Sequence, residues 1–329
     1  MLSRRLLRIK VMQMLYAYFT RDNKEIQLTE KELSHSIFKA FELYHYLLLL
    51  IIEIRDFTAN KIEFARNKYR PSDKELNQSE KFINNSVIKI IENNQQYKKF
   101  LNNNKYSWVN NPELIRKIYN DIIESDKFNR YINSEKTGFN EDKQIIIDIY
   151  TNQISVCEEL FNVLEEQSIY WNDDVEFIIS MINKTISNFK ENQSNERPLA
   201  DMYKNDDDID FVKTLFRKTI TNHSDNGKLI SQQTKNWEVE RIAFMDMLLM
   251  EMAIVEATEM EFIPTKVTLN EYIEISKYYS TDKSSNFING ILDKMFIKLK
   301  SENKIVKKGR GLVGEDIQNP KSQIPNHKS

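Results

Sequence analysis

Turn formers are scarce in this sequence: 329 residues hold six glycines and six prolines. Sandwiches of short strands and doubly wound nucleotide folds need more of both, for hairpin turns and phosphate loops. The composition therefore predicts long helices and an all-α fold. Cysteine is scarcer still. The one thiol, Cys157, excludes an internal disulfide framework and a cysteine-built zinc cage, and it fits a reducing cytoplasm. Long apolar runs are missing as well. The best candidate, residues 47–52, is six residues between Glu42 and Glu53, where a membrane span needs about 18–20. A cytoplasmic, soluble protein with no membrane contact is expected. A hydrophobic share of 40% is enough for a real core, so wholesale disorder is excluded.

Net charge is also nearly absent, at −2, but it is unevenly spread. Residues 1–21 carry Arg4, Arg5, Arg8, Lys10 and Arg21 with no acid, residues 298–310 reach +5, and residues 22–297 sum to −12. Two basic ends on an acidic body point to a local polyanion site rather than whole-molecule attraction. Solvated basic tails are the bland alternative. Against that, residues 3–19 read as a helix, with Leu7, Val11, Met14 and Tyr18 at helical spacing and Arg4, Arg5 and Arg8 on one flanking arc.

Further helical patterns run over 29–68, 79–101, 112–131, 142–171, 208–222, 237–258, 267–280 and 284–300. Asn-rich linkers lie among the middle ones, and a loop spans 191–206. Residues 301–329 read as a basic, disordered tail. The segments starting at Asp174 and Asp208 echo each other at an offset of 34, as two amphipathic helices with acidic N-caps.

Several motifs fail on inspection. Gly309, Gly311 and Gly314 match a dinucleotide fingerprint formally, but no strand precedes them. Asp206, Asp208 and Asp210 mimic a calcium loop whose sixth position is Phe211 and twelfth Arg217, so they read as a helix N-terminus. The four histidines lack metal-pair spacing, and no nucleophile elbow is present. Nothing supports an enzyme, and no cofactor is implied.

Residues 237–300 are the informative part. Between 242 and 255 only Asp246 and Glu251 interrupt an apolar helix. Such a helix is central and buried, and its acids should mark a seam that reaches water or a partner. Gly290 in mid-helix implies close backbone packing. Three blocks occur in order: Trp237…Arg241-Ile242-Ala243…Asp246, Ile263-Pro264-Thr265-Lys266-Val267…Leu269-Asn270-Glu271, and Phe287-Ile288-Asn289-Gly290-Ile291-Leu292-Asp293-Lys294. This segment resembles the C-terminal half of the NusB transcription antitermination family. Arg4-Arg5…Arg8…Gln13…Leu15-Tyr16 resembles the family's opening arginine-rich helix. The departures are a long insert over 21–205 and Glu251, which stands where many members carry arginine.

The resemblance implies a helical fold of two packed subdomains, with residues 1–20 and 206–300 as its core and 21–205 as a helical insertion. It implies binding of single-stranded boxA-type RNA of ribosomal RNA operons, together with the ribosomal protein NusE, in the RNA polymerase antitermination complex. Carried over, Arg4, Arg5, Arg8 and Tyr16 match the RNA-facing helix. Lys266, Lys277, Ser285, Phe287 and Asn289 line the other side of the RNA path, and Asp246 matches the ribosomal-protein interface. Arginine forks suit phosphates, rings suit splayed bases and amides suit base edges. Other readings stay open: Tyr16 and Phe287 as core rings, Asn289 as a packing polar group, Asn270–Glu271 as a structural pair, Asp246 paired internally with Arg241 or Lys294. The insert is expected to contact protein more than RNA, or to be a solvated elaboration. A helical adaptor that binds protein but not RNA is the rival function. A methyltransferase carrying such a domain would need an α/β domain after residue 300, where 29 residues follow.

Overall fold

The computed structural model describes residues 2–203, 205–234 and 242–313, and among them every regular element is helical. They divide into two compact units: residues 2–6 with 34–203, and residues 7–33 with 205–234 and 242–313. The divisions fall at 6/7, 33/34 and 204/205, where the sequence placed its insertion boundaries at 20/21 and 205/206.

Two long helices open the chain, α1 (Arg4–Thr20) and α2 (Ile26–Arg66). The apolar stripe of α1 is buried as its spacing predicts. In the first unit α2 is followed by α3 (Asp73–Leu76), α4 (Ser86–Asn93), α5 (Gln95–Asn103), α6 (Pro112–Glu124), α7 (Asp126–Asn133), α8 (Phe139–Ile149), α9 (Glu158–Gln167) and α10 (Val175–Ser187). The three middle patterns of the sequence are therefore each broken, for a local reason. Asn85, Asn94 and Ser125 stand inside apolar-periodic runs, and their side-chain oxygens accept N–H groups of the next turn, at 2.9 Å from Val87, 3.1 Å from Tyr97 and 3.2 Å from Phe128. Each such cap starts a new helix. Between α8 and α9 the backbone takes one wide π turn, Tyr150–Ile154.

Rings fill this unit's core. Tyr46 stacks on Trp108 at 4.0 Å between centroids, and His45 stacks on Phe100 at 4.0 Å. The indole N–H groups of Trp108 and Trp171 donate to the Tyr46 and Lys39 carbonyls, at 3.2 and 2.8 Å. Both rings are thus buried without losing a hydrogen bond.

The second unit contains α11 (Asp206–Gln233), α12 (Phe244–Glu259), α13 (Thr265–Tyr279) and α14 (Ser284–Ser301), with α11, α13 and α14 all packed on α12. The central, buried helix read from the sequence is α12; residues 237–241 of that pattern lie outside the described residues. Asp206, Asp207 and Asp208 occupy the first turn of α11, where the macrodipole favours acids. Of the echoed aspartates, Asp174 stands at the N-cap of α10 without a side-chain cap bond, and Asp208 lies in the first turn of α11, whose N-cap is Asn205.

Two readings need correction here. Residues 302–313 are not a disordered tail. The Lys308 N–H donates to the Glu261 carbonyl at 2.9 Å, Lys307 Nζ donates to the Met260 carbonyl at 2.9 Å, and Ile305 is buried. A Cβ on Gly311 would lie 2.0 Å from the Glu261 oxygen, so only glycine lets the strap lie this close. Residues 314–329, including Gly314, lie outside the described residues. Gly290, in turn, is exposed, and a Cβ there would meet nothing within 4 Å, so it marks no close packing within the chain.

Candidate nucleic-acid interface

The acids of α12 organise the site, and they do not form a seam. Asp246, Glu251 and Glu256 follow one another at intervals of five, which turns each about 140° from the last. All three are buried, and each meets a different neighbour.

Asp246 is 6% exposed, in the first turn of α12. It accepts hydroxyl hydrogen bonds from Ser280, at the end of α13, and from Ser284, at the start of α14, the latter at 2.8 Å. The expectation of a carboxylate reaching solvent is therefore corrected. Its partners are serines; Lys294 is exposed and Arg241 lies outside the described residues. The bonds hold the α13–α14 corner against α12.

Glu251 accepts from His223 Nδ1 at 2.7 Å, and burial raises its carboxyl pKa against the pull of that ring. His223 itself stacks on Phe19 at 4.3 Å.

Glu256 carries the largest correction. Arg8 Nε and Nη2 both donate to it, each at 2.7 Å, with Thr268 and Tyr272 hydroxyls adding bonds at 2.8 and 3.2 Å. Arg8 is 2% exposed, its third nitrogen lies 3.6 Å from Glu271, and its guanidinium sits 5.3 Å over the Phe211 ring. Burial opposes the charge, but the Glu256 carboxylate outweighs it and raises the arginine's pKa. Arg8 is thus a core ion pair and not a member of a surface arc, and Lys10 is buried with it. The structural role left open for Glu271 is met through Arg8.

The remaining candidates sort by position. Arg4 is exposed and Arg5 half-buried, both in the first turn of α1 and in the first unit. The other residues belong to the second unit. Tyr16 is exposed and meets Phe244, the first residue of α12, edge-on at 5.6 Å. Lys277 is exposed in the last turn of α13, paired with Glu274; Ser285, Phe287 and Asn289 are half-buried in the first turns of α14. These four share the corner that Asp246 fastens. Lys266 is exposed in the first turn of α13, about 16 Å away along that helix at 1.5 Å per residue. Sequence reasoning missed Phe244, Glu256, Ser280 and Ser284. For Glu256, the five-residue spacing from Asp246 and Glu251 was the available signal.

With this geometry in hand, comparison with known proteins is specific. The NusB family model matches residues 174–296, beginning inside the stretch the sequence assigned to the insert. The Transcription antitermination protein NusB of Chloroherpeton thalassium is 46% identical over 97 residues, 30% of this chain and 45% of that protein. Proteins of the same name from Salinibacter ruber and Natranaerobius thermophilus are 42% identical over 89 residues and 41% over 66. Those two alignments cover 27% and 20% of this chain, and 56% and 48% of the relatives. The chain thus spans about half the length of the curated relatives it matches. No solved structure matches it. Residues 174–296 thus carry a NusB family domain, with an extra helical region ahead of it in the chain.

Proposed function

We propose that this chain is a transcription antitermination factor, a binding protein rather than an enzyme. It binds single-stranded boxA-type RNA of ribosomal RNA operons together with NusE, in the RNA polymerase antitermination complex. The observation that carries this reading is the 46% identity to the Chloroherpeton thalassium protein named for antitermination. The side chains support it. Tyr16 and Phe287 offer faces for bases, Asn289 an amide for a base edge, and Lys266 and Lys277 cations for phosphates. Arg4 and Arg5 stand at a helix N-terminus, where the dipole disfavours cations and favours an anion. Titrating labelled RNA at several salt concentrations, with and without NusE, tests the reading. Affinity should rise with NusE and fall with salt, by about 0.7 in log–log slope per phosphate contacted. Insensitivity to both sinks it.

The enclosure of Arg8 favours a second reading, a helical adaptor that binds NusE without RNA. NusE affinity with no measurable RNA affinity selects that one.

A further inference from the structure

The insert carries its own row of rings and cations. Phe57, Lys61 and Phe64 follow one another at intervals of four and three along the end of α2, which sets them within about 60° of arc, and Lys68 follows two residues past the end of that helix. Tyr69 and Arg70 come directly after. Phe64 is 72% exposed and Tyr69 is 94% exposed, in a chain whose other large rings are mostly packed. Phe57 is half-buried against Tyr119 at 5.1 Å. Lys61 lies 5.7 Å over the Phe57 ring and Arg70 lies 5.6 Å over the Tyr69 ring. Neither Lys61 nor Arg70 has a carboxylate partner among the described residues.

This end of the helix is built, not frayed. Arg66 pairs with Glu80 and donates to the Gln78 carbonyl at 3.1 Å, Lys68 pairs with Glu75, and Ser72 caps α3 with a reciprocal bond from Glu75. Cations near a helix C-terminus have a plain explanation in the macrodipole. That explanation does not reach two large rings held in water beside them.

We infer that residues 57–70 form a second single-stranded RNA contact, separate from the family-matching domain. Exposed rings receive unstacked bases, and the interleaved cations receive the phosphates between them. A duplex hides its base faces, and an acidic protein surface would answer the cations but leave the rings unused. About 10 Å of helix from Phe57 to Phe64, at 1.5 Å per residue, with the turn to Arg70 beyond it, accommodates a short run of nucleotides.

The test uses the full chain and an oligouridylate carrying 4-thiouridine, with a duplex RNA of equal length beside it. Photocrosslinks should fall on residues 57–70. Phe64→Ala with Tyr69→Ala should weaken oligouridylate binding by roughly 10-fold or more and leave the salt slope unchanged. Lys61→Gln with Arg70→Gln should reduce that slope by about 1.4, for two phosphates. All four side chains are exposed, so circular dichroism should stay unchanged. Equal losses for the duplex, or no crosslink in 57–70, overturn the inference. So does polyglutamate binding that depends on Phe64 and Tyr69 when RNA binding does not. A Tyr16→Ala, Lys277→Gln variant separates the two readings. If it alone abolishes RNA binding, this inference falls and the proposed function stands. If crosslinks persist only at 57–70, the reverse holds.

Discussion

In the second unit, α12 buries three carboxylates, and each is met by donors from a different neighbour: serines for Asp246, an imidazole for Glu251, a guanidinium for Glu256. In the first unit, the middle of α2 buries rings, and His45 is held neutral among them, its pKa lowered to about 4 by burial. The contrast concerns how a helical core fixes its register. Aromatic stacking accepts small slides between neighbours. A buried acid tied to named donors does not, because a slipped helix leaves a charge unpaired at several kcal/mol. The second unit thus ties the register of its central helix to buried charges, while the first sets its register by ring packing and by the indole bonds to backbone carbonyls.

The largest expected effect breaks the directional core. Arg8→Ala should lower unfolding free energy by about 3–5 kcal/mol, since it strands Glu256 among Thr268 and Tyr272. Urea titration followed by circular dichroism measures it. A loss below about 1 kcal/mol accompanied by weaker RNA binding would return Arg8 to the surface set.

The ring core should show itself through pH. His45 has a folded pKa of about 4, below the ordinary 6.5 or so of an unfolded histidine. The unfolded chain therefore binds the proton first. Stability from this site is complete above pH 6.5 and is lost as pH falls toward 4, by about 3 kcal/mol. Across that window the natural chain should lose stability relative to His45→Phe as pH falls, by about 3 kcal/mol in denaturation curves. Parallel curves refute the assignment.

Asp246→Ala should cost about 1–3 kcal/mol by leaving Ser280 and Ser284 without their acceptor, with Asp246→Asn costing less. Asp246→Lys is a poor probe of a partner, because it puts a cation where two hydroxyls donate. If Asp246→Asn keeps its melting temperature but weakens NusE binding, the carboxylate has a partner role beyond the corner it fastens.

The smallest effect has the opposite sign. Gly290→Ala should stabilise the protein by about 0.5–1 kcal/mol, because the helix gains a better former and the new methyl meets nothing. A loss of RNA or NusE binding in this more stable variant would mean that a ligand approaches the backbone there.

Much of the fold was legible before any coordinates. The shortage of glycine and proline left long helices as the economical solution, and the 3.6-residue period located α1, α2, α13 and α14 to within about three residues. The breaks inside 79–101 and 112–131 were harder, because Asn and Ser read equally as exposed helix residues and as caps until their side-chain oxygens find a backbone N–H. The site was half legible. The motifs led to Lys266, Lys277, Ser285, Phe287 and Asn289, and the structure gathers the last four at one corner.

What the sequence determined by itself is local: where helices form, which stripe of each is apolar, and that α12 must lie inside. What only the tertiary structure decided is which charges are surface and which are core. Arg4, Arg5 and Arg8 share one arc of one helix, and no spacing rule separates them. Arg8 is buried because Glu256, 248 residues later, comes within 2.7 Å of it. Burial of a charge depends on the partner that a distant segment brings, and that partner is set by packing rather than by any local pattern.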